Sequence, residues 1–127
     1  MITAVISLLH FIFGLATGLI GAIMPALMDA FSINMVQGSY VLAMINTAGI
    51  VSVFLVFVLG DRVNKFVVIG VALAMFTVSL FGAAMASTYS TLLLVFLLFG
   101  FGIKTLDTMN NAAVSDIHGD KRGIYLN

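Results

Sequence analysis

Four apolar stretches, residues 2–28, 35–59, 66–87 and 91–115, follow one another with connections of only three to six residues. Each is long enough to cross a hydrocarbon core about 30 Å thick, which a helix does in about 20 residues. Connections this short leave no room for a return across the membrane, so neighbouring spans must run antiparallel. The expected fold is therefore an all-α membrane protein, residues 1–127 forming one polytopic domain of four antiparallel transmembrane helices. Strands are disfavoured, because the stretches are apolar nearly all round instead of alternating and four strands cannot close a barrel. Composition agrees: 62% of residues are hydrophobic and 8% charged, against about a quarter charged in a soluble domain.

The same composition excludes several functions. There is no cysteine, which removes disulfides, thiolate metal sites and thiol nucleophiles, and two isolated histidines are too few for a zinc site. Five Lys and Arg balance five Asp and Glu, leaving no basic face for nucleic acid. No nucleophile–base pair or metal-ligand spacing is visible, so neither an enzyme, a cofactor nor a metal is expected.

Orientation follows from the cations. Arg62 and Lys65 lie in the second connection and Lys121 and Arg122 in the tail, while the first and third connections carry none. The positive-inside rule then puts both termini in the cytoplasm of a multi-pass protein of the cell membrane. The first stretch lacks the basic start of a signal peptide and is too long for one, so it is expected to remain as a span.

Polar and small residues within the spans are the candidate working parts. In the first span His10, Gly14, Gly18, Gly21 and Pro25 recur at three- and four-residue steps and share one face. A small-residue seam of this kind packs another helix; as a working part it would line a cavity, with Pro25 loosening the outer end. His10 is a side chain able to take or release a proton under physiological conditions, though a lone histidine more often bonds a neighbouring helix. Asn46, near the middle of the second span, needs a partner in protein or solute and should not face lipid. The fourth span is the least lipid-like: Lys104, Asp107, Asn111 and Ser115 fall three or four residues apart and form one polar stripe. A charge at the bilayer centre costs about 2.5 to 3.5 kcal/mol on insertion scales, so such residues are pathway candidates by default. Their structural alternative is that Lys104 and Asp107, one turn apart, neutralise each other, with Lys104 reaching toward the cytoplasm. Of the two, Asp107 is the better proton carrier.

The run Phe57-Val58-Leu59-Gly60-Asp61-Arg62-Val63-Asn64-Lys65 resembles the cytoplasmic signature of the major facilitator superfamily, G-x-L-x-D-R-x-G-R/K, and stands where that signature does, between the second and third helices. Phe57 and Asn64 occupy its two glycine positions. Upstream, Gly21-Ala22-Ile23-Met24-Pro25-Ala26-Leu27 with Phe31 and Gly38 is similar to the family's first helix and outer loop. Downstream, Gly100-Phe101-Gly102 with Asn110 and Asn111, then Arg122-Gly123-Ile124-Tyr125-Leu126-Asn127, resembles the fourth helix of the fucose-permease-like sugar branch. The resemblance implies the amino-terminal part of a twelve-helix fold of two halves. It also implies a cytoplasmic gate in which Asp61, Arg62 and Lys65 meet Asp116 and Arg122. Proton coupling in that branch uses carboxylates of the first and fourth helices; Asp107 is available, and the first helix has no interior acid.

Two functions are therefore expected. In one, the chain is part of a secondary transporter for a small polar, sugar-like solute, with a coupling proton. Asn46, Asp107, Asn111, Lys104 and His10 would form its pathway, and the bilayer, the solute and the remaining helices would be its partners. In the other, it is a self-contained four-helix protein that pairs with a second copy of itself as a small exporter or scaffold, with the glycine seam and polar stripe at the contact.

Overall fold

The computed structural model describes residues 2–59 and 62–118. It contains four helices: α1 (Ile2–Ala30), α2 (Met35–Leu59), α3 (Lys65–Met85) and α4 (Tyr89–His118). All four are long and apolar enough to cross a membrane. The chain is a multi-pass membrane protein.

Local chemistry sets the helix ends. At the end of α1 the Ile33 N–H donates to Met28 O and the Ser32 N–H to Asp29 O, with Ser32 at φ 51°; this is the Schellman closure, in which one residue must turn left-handed. Asn34 and Gln37 then bond reciprocally, each side-chain oxygen accepting the other's backbone N–H at 2.9 and 3.0 Å. That capping box starts α2. Asn64 starts α3 by accepting the Phe66 N–H at 2.9 Å, with φ −59° and ψ 122°. Its conformation is open to any residue, so the missing signature glycine costs nothing there. Phe57, at the other glycine position, is 84% exposed, so among the described residues nothing packs over it closely enough to require a small residue. Thr88 accepts the Thr91 N–H and starts α4.

α4 is the centre of the bundle, packed lengthwise against α2 on one side and α3 on the other. Two glycines make this possible. A Cβ at Gly100 would overlap the backbone of Ile45 on α2, whose Cα would lie at 2.7 Å, and one at Gly102 would lie 2.8 Å from Phe76 N on α3. Close approach of backbones is the main source of helix association in lipid, where apolar contact alone gives no advantage. Ser52 and Thr105, both buried, join α2 to α4 at 2.5 Å. Thr105 gives its proton to Phe101 O, so Ser52 is the donor between the two. At the opposite end of the bundle the Tyr89 hydroxyl donates to Gln37 O at 3.0 Å.

α1 is attached differently. It touches α4 and α2 over short lengths and enters the core chiefly through Phe13 and Ile20. Phe13 meets Phe76 edge-on at 5.6 Å between ring centres, and Phe76 continues the aromatic row to Phe99 and Phe96. The glycine seam does not pack within this chain: nothing lies within 4 Å of a Cβ built at Gly14, Gly18 or Gly21. Of the two expectations for the seam, a packed helix is not met among the described residues, because α1 turns Phe13 and Ile20 toward its neighbours; Gly14 and Gly18 instead border a recess. Pro25 is exposed, and α1 continues past it to Ala30.

Candidate functional site

The polar stripe of α4 lies at mid-length of the helix and is not packed under another element. Around its axis Gly100 and Thr105 turn to α2 and Gly102 to α3, which leaves Lys104, Asp107 and Asn111 toward the gap between α1 and α2. Two recesses meet there. One, of about 400 Å³, lies against α1 and is bordered by His10, Gly14, Thr17, Gly18, Lys104 and Asp107. The other, of about 420 Å³, lies against α2 and is bordered by Asn46, Gly49, Ile50, Lys104, Asp107 and Thr108. Lys104 and Asp107 belong to both.

His10 crosses from α1 to the stripe. Its Nε2 lies 3.1 Å from Asn111 Oδ1 and 3.4 Å from Asp107 Oδ1. The Asn111 amide oxygen only accepts, so in that contact Nε2 is the donor. The side chains of His10 and Asp107 are 33% and 44% exposed, which keeps the pair open to water or solute instead of sealed in the core. The sequence suggested Lys104 as the partner of Asp107. Among the described residues the ion-pair contact of Asp107 is with His10, and Lys104 runs the other way, its stem laid over Gly49 so closely that a Cβ there would sit 2.7 Å from Lys104 Cγ.

Asn46 is exposed and bonds back to its own helix, Nδ2 donating to Leu42 O at 3.0 Å. It has no interhelical bond among the described residues, so its remaining N–H and its oxygen face the α2-side recess. Thr108 spends its proton on Lys104 O at 2.8 Å and can only accept from that recess. Thr17 does the same with Phe13 O on the α1 side. Gly49 and Thr108 were not singled out from the sequence; Gly49 follows Asn46 by three residues and so shares its face, a signal that was there to use. Asn110 differs from its neighbour Asn111: it is buried, and its Nδ2 has no hydrogen-bond partner among the described residues.

A third cavity, of about 220 Å³, lies among α2, α3 and α4 toward the α2–α3 connection. Apart from Ser52 and Thr105, which satisfy each other, every side chain around it is apolar. It offers a polar solute nothing to bind.

Of the residues assigned to a gate, Arg62 is exposed and Lys65 half-buried at the start of α3. Asp61, Arg122 and the side chain of Asp116 lie outside the described residues.

Four helices long and apolar enough to cross a membrane, with a part-exposed polar stripe on the carboxy-terminal half of the fourth, point to solute movement across a membrane. The family model of the Major Facilitator Superfamily matches residues 6–126. The chain belongs to the major facilitator superfamily. No curated protein and no solved structure matches it. Members of the superfamily are membrane transporters and not enzymes, and membership does not favour a self-contained scaffold. The chain's membrane helices imply a surrounding lipid bilayer, and a transporter binds small-molecule substrates.

Proposed function

We propose that the chain forms one wall of an alternating-access pathway that carries a small polar, sugar-like solute across the cell membrane together with a proton. One observation supports this reading: Lys104 and Asp107 near the middle of α4, with His10 and Asn46 facing them from α1 and α2, border open recesses instead of helix contacts, and Asn111 one turn on meets His10. Charges at that depth are costly unless water or solute reaches them. Superfamily substrates bind near the midplane between two halves of the fold. The open faces of α1 and α4 are then completed by the transporter's remaining helices, or by a second copy of the chain, with the glycine seam of α1 at the contact. The contact of His10 with Asp107 gives the coupling proton a place to be held, supplying from α1 the titratable group that an interior acid would otherwise provide. Asp61, Arg62 and Lys65 close the cytoplasmic end against Asp116 and Arg122, and both termini lie on that side.

Uptake of labelled sugars into proteoliposomes, with and without an imposed pH gradient, tests the reading. Asp107→Asn is expected to lower uptake at least about tenfold while leaving membrane insertion and elution behaviour intact, and to abolish the response to the gradient. Asp61→Asn should also impair transport. Undiminished uptake by the Asp107 variant would remove the pathway assignment.

A further inference from the structure

We infer that the solute carries a carboxylate and that Lys104 is its anchor: the α2-side recess is built for a small hydroxylated acid. This rests on the transport reading above and names its substrate class.

Three features of the recess lead there. First, Lys104 has no ion-pair contact among the described residues: Asp107, which borders the same recess one turn away, sets its Oδ1 against His10 Nε2 at 3.4 Å. Second, Lys104 cannot escape to water along the helix. It stands nine residues from Ala113, where the span ends, or about 14 Å at the helical rise, further than a lysine side chain reaches, and Tyr89 at the other end is more distant still. Its stem is also held sideways over Gly49, which directs it toward α2. Third, the polar atoms beside it favour acceptance over donation. The Thr108 hydroxyl has given its proton to Lys104 O, and Asn46 has committed one N–H to Leu42 O, leaving an oxygen and one N–H.

The recess thus holds the Lys104 ammonium, two acceptors and one donor, together with the Asp107 carboxylate, whose Oδ1 is turned to His10. With that carboxylate engaged on the α1 side, the ammonium complements an anionic group and the acceptors complement hydroxyls. The carboxylate takes the ammonium, and hydroxyl protons go to Thr108 Oγ1 and Asn46 Oδ1. A neutral sugar satisfies the acceptors but gives the ammonium no direct ion-pair contact when the pathway closes and water is expelled, which is the costly state for a buried ion. A monoanion removes that cost.

The experiment compares uptake of labelled gluconate, glucuronate and lactate with that of glucose, galactose and glycerol in proteoliposomes of the full-length gene product. The acids are expected to be carried in preference to the neutral probes. Lys104→Gln should cut acid uptake at least about tenfold, and Lys104→Arg should restore most of it. Gly49→Ala, which displaces the lysine stem without removing the charge, should raise the KM for the acids several-fold. Thermal midpoints and elution profiles establish that each variant is folded. Preference for neutral sugars, or acid uptake unaffected by Lys104→Gln, would overturn the inference while leaving the transport reading standing. Uptake of none of the probes by the wild type would overturn both.

Discussion

The contact of α4 with α2 and α3 and its contact with α1 both involve glycines at regular helical spacing, and they behave oppositely. On the first, Gly100 and Gly102 bring backbones into contact, a buried hydroxyl pair is fully satisfied, and little beyond apolar side chains is left. On the second, the glycines of α1 touch nothing, polar side chains stand part-exposed, and the helix is held largely by Phe13 and Ile20. Glycine spacing alone therefore does not tell a packed seam from an open one. What separates them is whether a large apolar residue on the same helix has already fixed which side faces inward.

Substitutions can break this contrast at several points. The largest effect is expected at Phe76, which joins the aromatic row of α4 to Phe13: Phe76→Ala should cost about 4 kcal/mol and free α1 from the body, read as a lowered unfolding midpoint in detergent and faster proteolysis of the α1–α2 connection. Gly100→Ala places a methyl group against Ile45 backbone that cannot move aside, and should cost about 3 kcal/mol. Gly18→Ala is the counterpart on the open face. It should leave stability unchanged or raise it by up to about 1 kcal/mol through helix propensity, and an equal loss at both glycines would erase the distinction drawn between the two faces. Thr105→Val removes the acceptor for the buried Ser52 hydroxyl and should cost about 1 kcal/mol. Ser52→Ala leaves Thr105 bonded to Phe101 O and should cost less, with the double variant below the sum of the two. The smallest effect is at Ser32, where glycine accepts the left-handed turn more readily and should add about 0.5 kcal/mol.

The four helices were legible because a membrane span must be long, apolar and internally hydrogen-bonded, properties that are local to the sequence. The polar stripe of α4 was legible for a similar reason: Lys104, Asp107 and Asn111 lie on one helix, and helical spacing fixes their common face. The pairing across helices was not. Lys104 and Asp107 stand one turn apart and look like natural partners, yet which way each side chain turns depends on the register of α1 and α2 against α4. That register is set by Phe13 and by the backbone contact at Gly100, and neither announces its partner in the sequence. The seam of α1 misled in the same way, since Gly14, Gly18 and Gly21 form the more regular pattern while Gly100 and Gly102 make the contacts. Asn64 was the reverse case: it departs from the family signature, yet caps α3 in a conformation that needs no glycine.

The central position of α4 also bears on how the chain is made. A ribosome releases the four spans in order, and the last of them is the least apolar and the only one of the four with both a lysine and an aspartate near its middle. When it emerges, α2 and α3 have already left the ribosome, and between them they carry the two surfaces that Gly100 and Gly102 fit. The span least able to enter lipid unaided is thus delivered after its hosts. Insertion of α4 can then draw on packing against segments already made, and lesions in α2 or α3 far from any polar residue are expected to leave the fourth segment outside the membrane.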